Sequence, residues 1–89
     1  MSQLRTVVKQ SEISEAMFQD VIEMTAEACA KFNLETEIAK HIKMKMDDKY
    51  KPMWQCVVGA QYSSYITYEL ENFVDFEYGD KAILLFKAP

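Results

Sequence analysis

The sequence predicts an α+β domain: one short strand, two helices, then four strands of antiparallel sheet. Three observations predict it. Apolar residues recur at intervals of three and four between residues 14 and 50, which is helical spacing. From Trp54 onward the interval becomes two, which is strand spacing. Gly 2 and Pro 2 in 89 residues leave little room for long irregular loops.

Thr6-Val7-Val8-Lys9 reads as a short strand with β-branched residues at its centre. Ser14 stands where a helix cap belongs, and Glu15 behind it suits the positive end of the helix dipole. Met17, Val21, Met24 and Ala28 form one apolar stripe. Asp20, Glu23 and Glu27 fall on another face and read as solvated rather than as metal ligands. The helix is expected to fade at Phe32-Asn33, because asparagine readily takes the left-handed conformation that ends helices.

A second helix runs from Glu35 to Tyr50, with Ile38, Ile42 and Met46 on its buried side. Pro52 stops it, since proline lacks the donor and disfavours helical geometry at Lys51. Trp54 to Val58 is a strand ended by Gly59. Tyr62 to Glu69 alternates, and Phe73 to Tyr78 alternates more sharply, with Val74, Phe76 and Tyr78 opposed to Asp75 and Glu77. Gly79-Asp80 signals a two-residue hairpin turn. Ala82 to Phe86 is apolar on both faces and belongs in the middle of the sheet.

The length allows a single domain, residues 1–89, with no repeat and no linker. At this size folding buries only ~60–65% of the surface the unfolded chain exposes, so a partner subunit is expected to supply part of the stability. Hydrophobic residues at 49% and charged residues at 27% exclude a disordered chain. The net charge is -4, and Lys40, Lys43, Lys45, Lys49 and Lys51 are interleaved with Glu35, Glu37, Asp47 and Asp48. That mixture reads as a solvated helix face, not the basic face that nucleic acid requires. No secretory signal follows Met1, and the longest strongly apolar run, Ala82–Phe86, is far short of the ~20 residues of a membrane helix. Cys29 and Cys56 read as reduced cytosolic thiols.

Catalytic parts are scarce. His41 is the single histidine, and paired with Cys29 or Cys56 it would offer at most a thiol and a base. Two cysteines and one histidine lack the paired spacing of a zinc site. The reading is therefore non-catalytic, with no metal and no cofactor. The informative stretch is Tyr62-Ser63-Ser64-Tyr65-Ile66-Thr67-Tyr68, whose two faces both carry rings and hydroxyls. Such a strand suits a sheet edge or a subunit interface, where unpaired backbone groups can accept a partner's strand. An edge strand that is simply wet is the other reading of the same pattern.

Lys49-Tyr50-Lys51-Pro52-Met53-Trp54-Gln55-Cys56-Val57-Val58-Gly59 resembles the lysine-tyrosine-x-proline-x-tryptophan segment of the dynein light chains also known as the protein inhibitor of neuronal nitric oxide synthase. Ser64 to Glu69 looks like that family's binding strand, and Ala82 to Lys87 is similar to its closing strand. Ser14-Glu15, Met17, Gln19-Asp20, Lys31-Phe32-Asn33, Glu35, Ile38-Ala39 and His41-Ile42-Lys43 match in the N-terminal half. The resemblance covers essentially the whole chain.

It implies a strand-swapped homodimer, in which the Tyr62–Tyr68 strand crosses to the partner's sheet, with Gln55, Val57, Ser64 and Tyr65 at the seam. Each of two grooves would take an extended peptide, often with a threonine-glutamine-threonine core, as an added antiparallel strand. Tyr62, Ser64, Ile66 and Thr67 would floor the groove, with Phe73 beside them and Tyr65 nearby. Glu35 at the partner's helix start would hold the peptide's glutamine, and Lys9 and Gln61 would line the ends. The implied partners are the dynein intermediate chain and other proteins with disordered linear motifs, in the cytoplasm on the microtubule-associated motor. A diverged paralogue acting outside the motor, with narrowed or lost peptide binding, is the alternative.

The chain departs from the family at several positions. Gln55 replaces a seam histidine whose protonation splits the dimer, so that acid switch is expected to be absent. Tyr68 replaces a groove histidine, Ser63 a glycine, and Thr36 a basic residue beside the helix start. Ala88 replaces a regulatory serine. Asp75 and Glu77 replace two groove tyrosines, and two carboxylates there would repel acidic ligands and favour basic ones.

Overall fold

The structure is a computed structural model that describes residues 5–60 and 72–87. Within them the order is β1 (Thr6–Ser11), α1 (Glu15–Lys31), α2 (Glu35–Tyr50), β2 (Trp54–Gly59), β3 (Phe73–Tyr78) and β4 (Lys81–Lys87). The four strands form one antiparallel sheet in the order β1-β3-β4-β2. The α+β class stands. The expected strand Tyr62–Glu69 lies outside the described residues.

Local chemistry accounts for most boundaries. The Ser14 hydroxyl accepts a hydrogen bond from the Met17 N–H at 3.1 Å and caps α1. At the other end the expectation for Asn33 fails. Phe32 leaves the helix in extended geometry, φ -125°, with its N–H bonded to the Ala28 carbonyl, and Asn33 is not left-handed. Helix α2 spans the expected residues and stops ahead of Pro52. Lys51 takes the left-handed side of conformational space, φ 70° and ψ 151°. Gly79 turns the β3–β4 hairpin at φ 63°, where glycine meets no Cβ clash.

The helices lie against one face of the sheet. Val21 and Ala28 of α1 and Ile38, Ile42 and Met46 of α2 close over Trp54, Val74, Phe76, Tyr78, Ile83 and Leu85. Met17 and Met24 are only half-buried at the edge of this core. Their stripe is completed by Thr25, whose hydroxyl donates to the Val21 carbonyl at 2.8 Å, and by Phe18, edge-on to Phe76 at 5.5 Å. β4 is internal, as its two-sided apolar sequence requires.

Lys51 sets up a stability test. A φ/ψ combination open to glycine costs other residues on the order of 1–3 kcal/mol. Lys51→Gly is expected to raise stability by about 1 kcal/mol after the entropy glycine adds to the unfolded chain, and Lys51→Val to lower it. Urea denaturation monitored at Trp54 measures both.

Candidate functional site

Alternation assigns the second face of the sheet. Register pairs Gln55 with Phe86, Val57 with Leu84 and Gly59 with Ala82 across β2 and β4. It pairs Phe73 with Phe86, Asp75 with Leu84 and Glu77 with Ala82 across β3 and β4. These residues share the side turned away from the helices. Phe73, Ala82 and Leu84 are buried there, Asp75, Glu77 and Gln55 are half-buried, and Val57 is 47% exposed. β2 ends the sheet, pairing with β4 on one side only among the described residues.

β1 carries an irregularity that positions the charges of this face. Val7 opposes Glu77 and Val8 opposes Phe76, but the register then shifts so that Gln10, not Lys9, opposes Asp75. The extra residue frees the Lys9 side chain, whose Nζ lies 3.3 Å from Glu77 Oε2. Glu77 is therefore neutralised locally, while Asp75 forms no ion pair among the described residues.

The start of α2 holds Glu35, half-buried, and Thr36, exposed. Leu34 is the N-cap and offers no side-chain acceptor. The N–H groups of Glu37 and Ile38 both turn back to the Leu34 carbonyl, and the first-turn N–H groups have no side-chain cap. Of the expected groove and seam residues, Lys9, Glu35, Thr36, Gln55, Val57, Phe73, Asp75 and Glu77 are described. Gln61, Tyr62, Ser63, Ser64, Tyr65, Ile66, Thr67 and Tyr68 lie outside the described residues.

The acids of α1 are not simply solvated, which corrects the reading of that face. Asp20 accepts from the Tyr50 hydroxyl and from Lys49 Nζ, the latter at 2.9 Å. Glu27 pairs with His41 at 2.8 Å and with Lys45 at 3.9 Å. Asp47 takes Lys43 and the Trp54 N–H, tying α2 to β2. The sequence carried no local signal for the first two ties, because their partners stand on different helices. Glu23 is exposed and forms no ion pair among the described residues.

His41 is thus engaged by Glu27 and packs beside Phe32 at 5.7 Å. Burial pushes the Cys56 thiol up to about 12 and raises Cys29, chiefly by the same cause. Both therefore disfavour the thiolate that nucleophilic chemistry uses. Among the described residues no group of three or more His, Cys, Asp and Glu side chains is placed to hold a metal ion, and no helix is long and apolar enough to cross a membrane.

Two helices packed on one face of a four-stranded antiparallel sheet define a small α+β domain. The sequence comparisons agree. The profile of the family described as Dynein light chain type 1 matches residues 5–88. A dynein light chain of Schistosoma mansoni is 44% identical over 88 residues, covering 99% of each chain. The protein belongs to the dynein light chain family.

Solved structures support the fold independently. The dynein light chain-like domain of the Fasciola hepatica calcium binding protein FhCaBP2 superimposes with a TM-score of 0.81 at 24% identity, covering 97% of this chain and 93% of that one. The DLC-like domain of CsTAL3 gives 0.81 at 15% identity over 98% of both chains.

The Asp20–Tyr50–Lys49 tie predicts a pH profile. The Tyr50 hydroxyl, then Lys49, holds the Asp20 carboxyl below its ordinary range. A depressed carboxylate stabilises fully above its unfolded value of ~4 and loses that contribution as pH falls through the folded value. Asp20 in turn raises Tyr50 and Lys49. Groups raised in the folded state stabilise below their unfolded values of ~10 and lose this as pH rises. Asp20→Asn is expected to flatten both the acid and the alkaline limbs of the stability profile, measured by urea midpoints from pH 3 to 11.

Proposed function

We propose that this chain is a non-catalytic, homodimeric light chain that binds short extended segments of other proteins by strand addition in two grooves. The dynein intermediate chain is the leading partner, and the cytoplasmic, microtubule-associated motor is the place of action. The observation that carries the reading is the edge of β2, which among the described residues pairs with β4 alone and exposes Val57. Unpaired backbone donors and acceptors at such an edge invite another strand.

In this reading the Tyr62–Tyr68 strand of one subunit completes the partner's sheet, and Gln55 and Val57 meet it at the seam with Ser64 and Tyr65. The peptide then lies along Tyr62, Ser63, Ser64, Ile66, Thr67 and Tyr68, with Phe73, Asp75, Glu77, Lys9 and Gln61 around it. Glu35 and Thr36, at a helix start whose N–H groups lack a side-chain cap, supply polar contacts to the peptide's glutamine. Two equal grooves pair two chains, so a bivalent partner gains avidity beyond either single contact. The engaged His41 and the thiol-favouring sites of Cys29 and Cys56 support the non-catalytic part of the reading.

Calorimetric titration with an intermediate-chain peptide bearing the threonine-glutamine-threonine core is expected to give one peptide per subunit. Absence of binding, with the dimer intact by sedimentation, would overturn the hub reading and leave a diverged light chain acting outside the motor. Because glutamine does not titrate, sedimentation is also expected to find the dimer undivided from neutral pH down to about pH 5; Gln55→His would restore dissociation on acidification.

A further inference from the structure

We propose that Lys9, the extra residue of β1, is a guard that keeps this edge of the sheet from pairing with another copy of the chain. Among the described residues β1 ends the sheet opposite β2 and pairs with β3 alone. It is also the more open of the two terminal strands. Val7, Val8, Lys9 and Gln10 are exposed in succession, with Val7 at 37% and Val8 at 46%, whereas β2 exposes Val57 alone.

The backbone is turned outward at the same place. The Arg5 carbonyl accepts from the Gly79 N–H at 2.8 Å, so these two, one step beyond Thr6–Tyr78, form a hydrogen-bonded pair. Alternation makes Val7–Glu77 the next such pair and directs the Val8 N–H and carbonyl away from β3. Exposed β-branched residues with outward backbone groups are a template for a further strand. At the far end β2 pairs with β4 alone among the described residues. Seating β1 of one copy on β2 of the next would repeat without closing, which is the geometry of a filament.

Lys9 interrupts that template. Thr6–Tyr78, Val7–Glu77 and Val8–Phe76 run in step, and Gln10–Asp75 and Ser11–Val74 then run in step again. A strand lacking Lys9 would make these same pairings, so Lys9 takes no place in the ladder with β3. Its effect falls on the outer side. An extra residue throws the outward donors and acceptors beyond it out of step, bends the strand and increases its twist. The side chain adds charge at the edge: its Nζ lies 3.3 Å from Glu77 Oε2, and a strand laid there would have to strip water from the pair. The guard stands whatever strand β2 receives, because it concerns the opposite edge.

The test deletes Lys9 alone, which leaves the residues facing β3 in their present register. Sedimentation velocity from micromolar to millimolar concentration is expected to show the deletion variant growing into species larger than any the natural protein forms. Adding Val8→Pro removes the outward N–H and is expected to restore the natural sedimentation. Urea midpoints followed at Trp54 check that both variants fold. A folded deletion variant that sediments like the natural protein, or larger species that persist with Val8→Pro, would overturn the guard. Hydrogen exchange tests the same point on the natural protein, without any variant. The Val8 amide is expected to exchange on the order of a hundredfold faster than that of Val7 at every concentration. Protection of Val8 that grows with concentration would show β1 accepting a strand and overturn the proposal.

Discussion

Two helices of 17 and 16 residues can cover one face of a four-stranded sheet but not two. Each helix is ~25 Å long and ~10 Å wide, and four strands at ~4.8 Å spacing make a surface of about the same breadth as the pair. Both helices lie on the same side, so the whole of the main core forms there, from Val21 and Ile42 to Phe76 and Leu85. The other side is left to the alternate residues of the same strands. The edge of β2, paired with β4 alone among the described residues, is a surface that the two helices do not satisfy.

Charge is organised in accordance with the same division. On the helix layer the acids and bases cancel one another across α1 and α2, through Asp20 with Lys49 and Tyr50 and through Glu27 with His41 and Lys45. These exposed ties orient two helices at modest energetic gain, as surface pairs do. On the other sheet face Lys9 pairs with Glu77, and Asp75 forms no ion pair among the described residues. The net charge of -4 thus averages over two faces whose charges are paired differently.

The relatives show how little identity this architecture needs. At 15% identity a DLC-like domain still superimposes with a TM-score of 0.81. The fold depends on the period of apolar residues, on a helix stop and on a hairpin turn, and many sequences meet those demands. On the proposed strand-addition reading, recognition depends instead on single side chains beside the edge of β2. Gln55, Asp75 and Glu77 are only half-buried, so substitutions there leave the helix-side core intact.

The local sequence by itself determined the class, the bounds of α2, the Ser14 cap, the turn at Gly79 and the central place of β4. Each is encoded by residues close together in the chain, whose spacing or conformational freedom acts within a few positions. Asn33 shows the limit even of local reading: its tolerance of left-handed geometry was available, but the chain leaves α1 extended at Phe32 instead. Only the tertiary structure decided that Asp20 meets Tyr50, thirty residues on, and that Glu27 meets His41. Only the tertiary structure separated Asp75 from Glu77, because a one-residue shift in β1 arises from how two strands distant in sequence are brought into register. Contacts between distant segments depend on the packing of the whole chain, and no spacing within a short window encodes them.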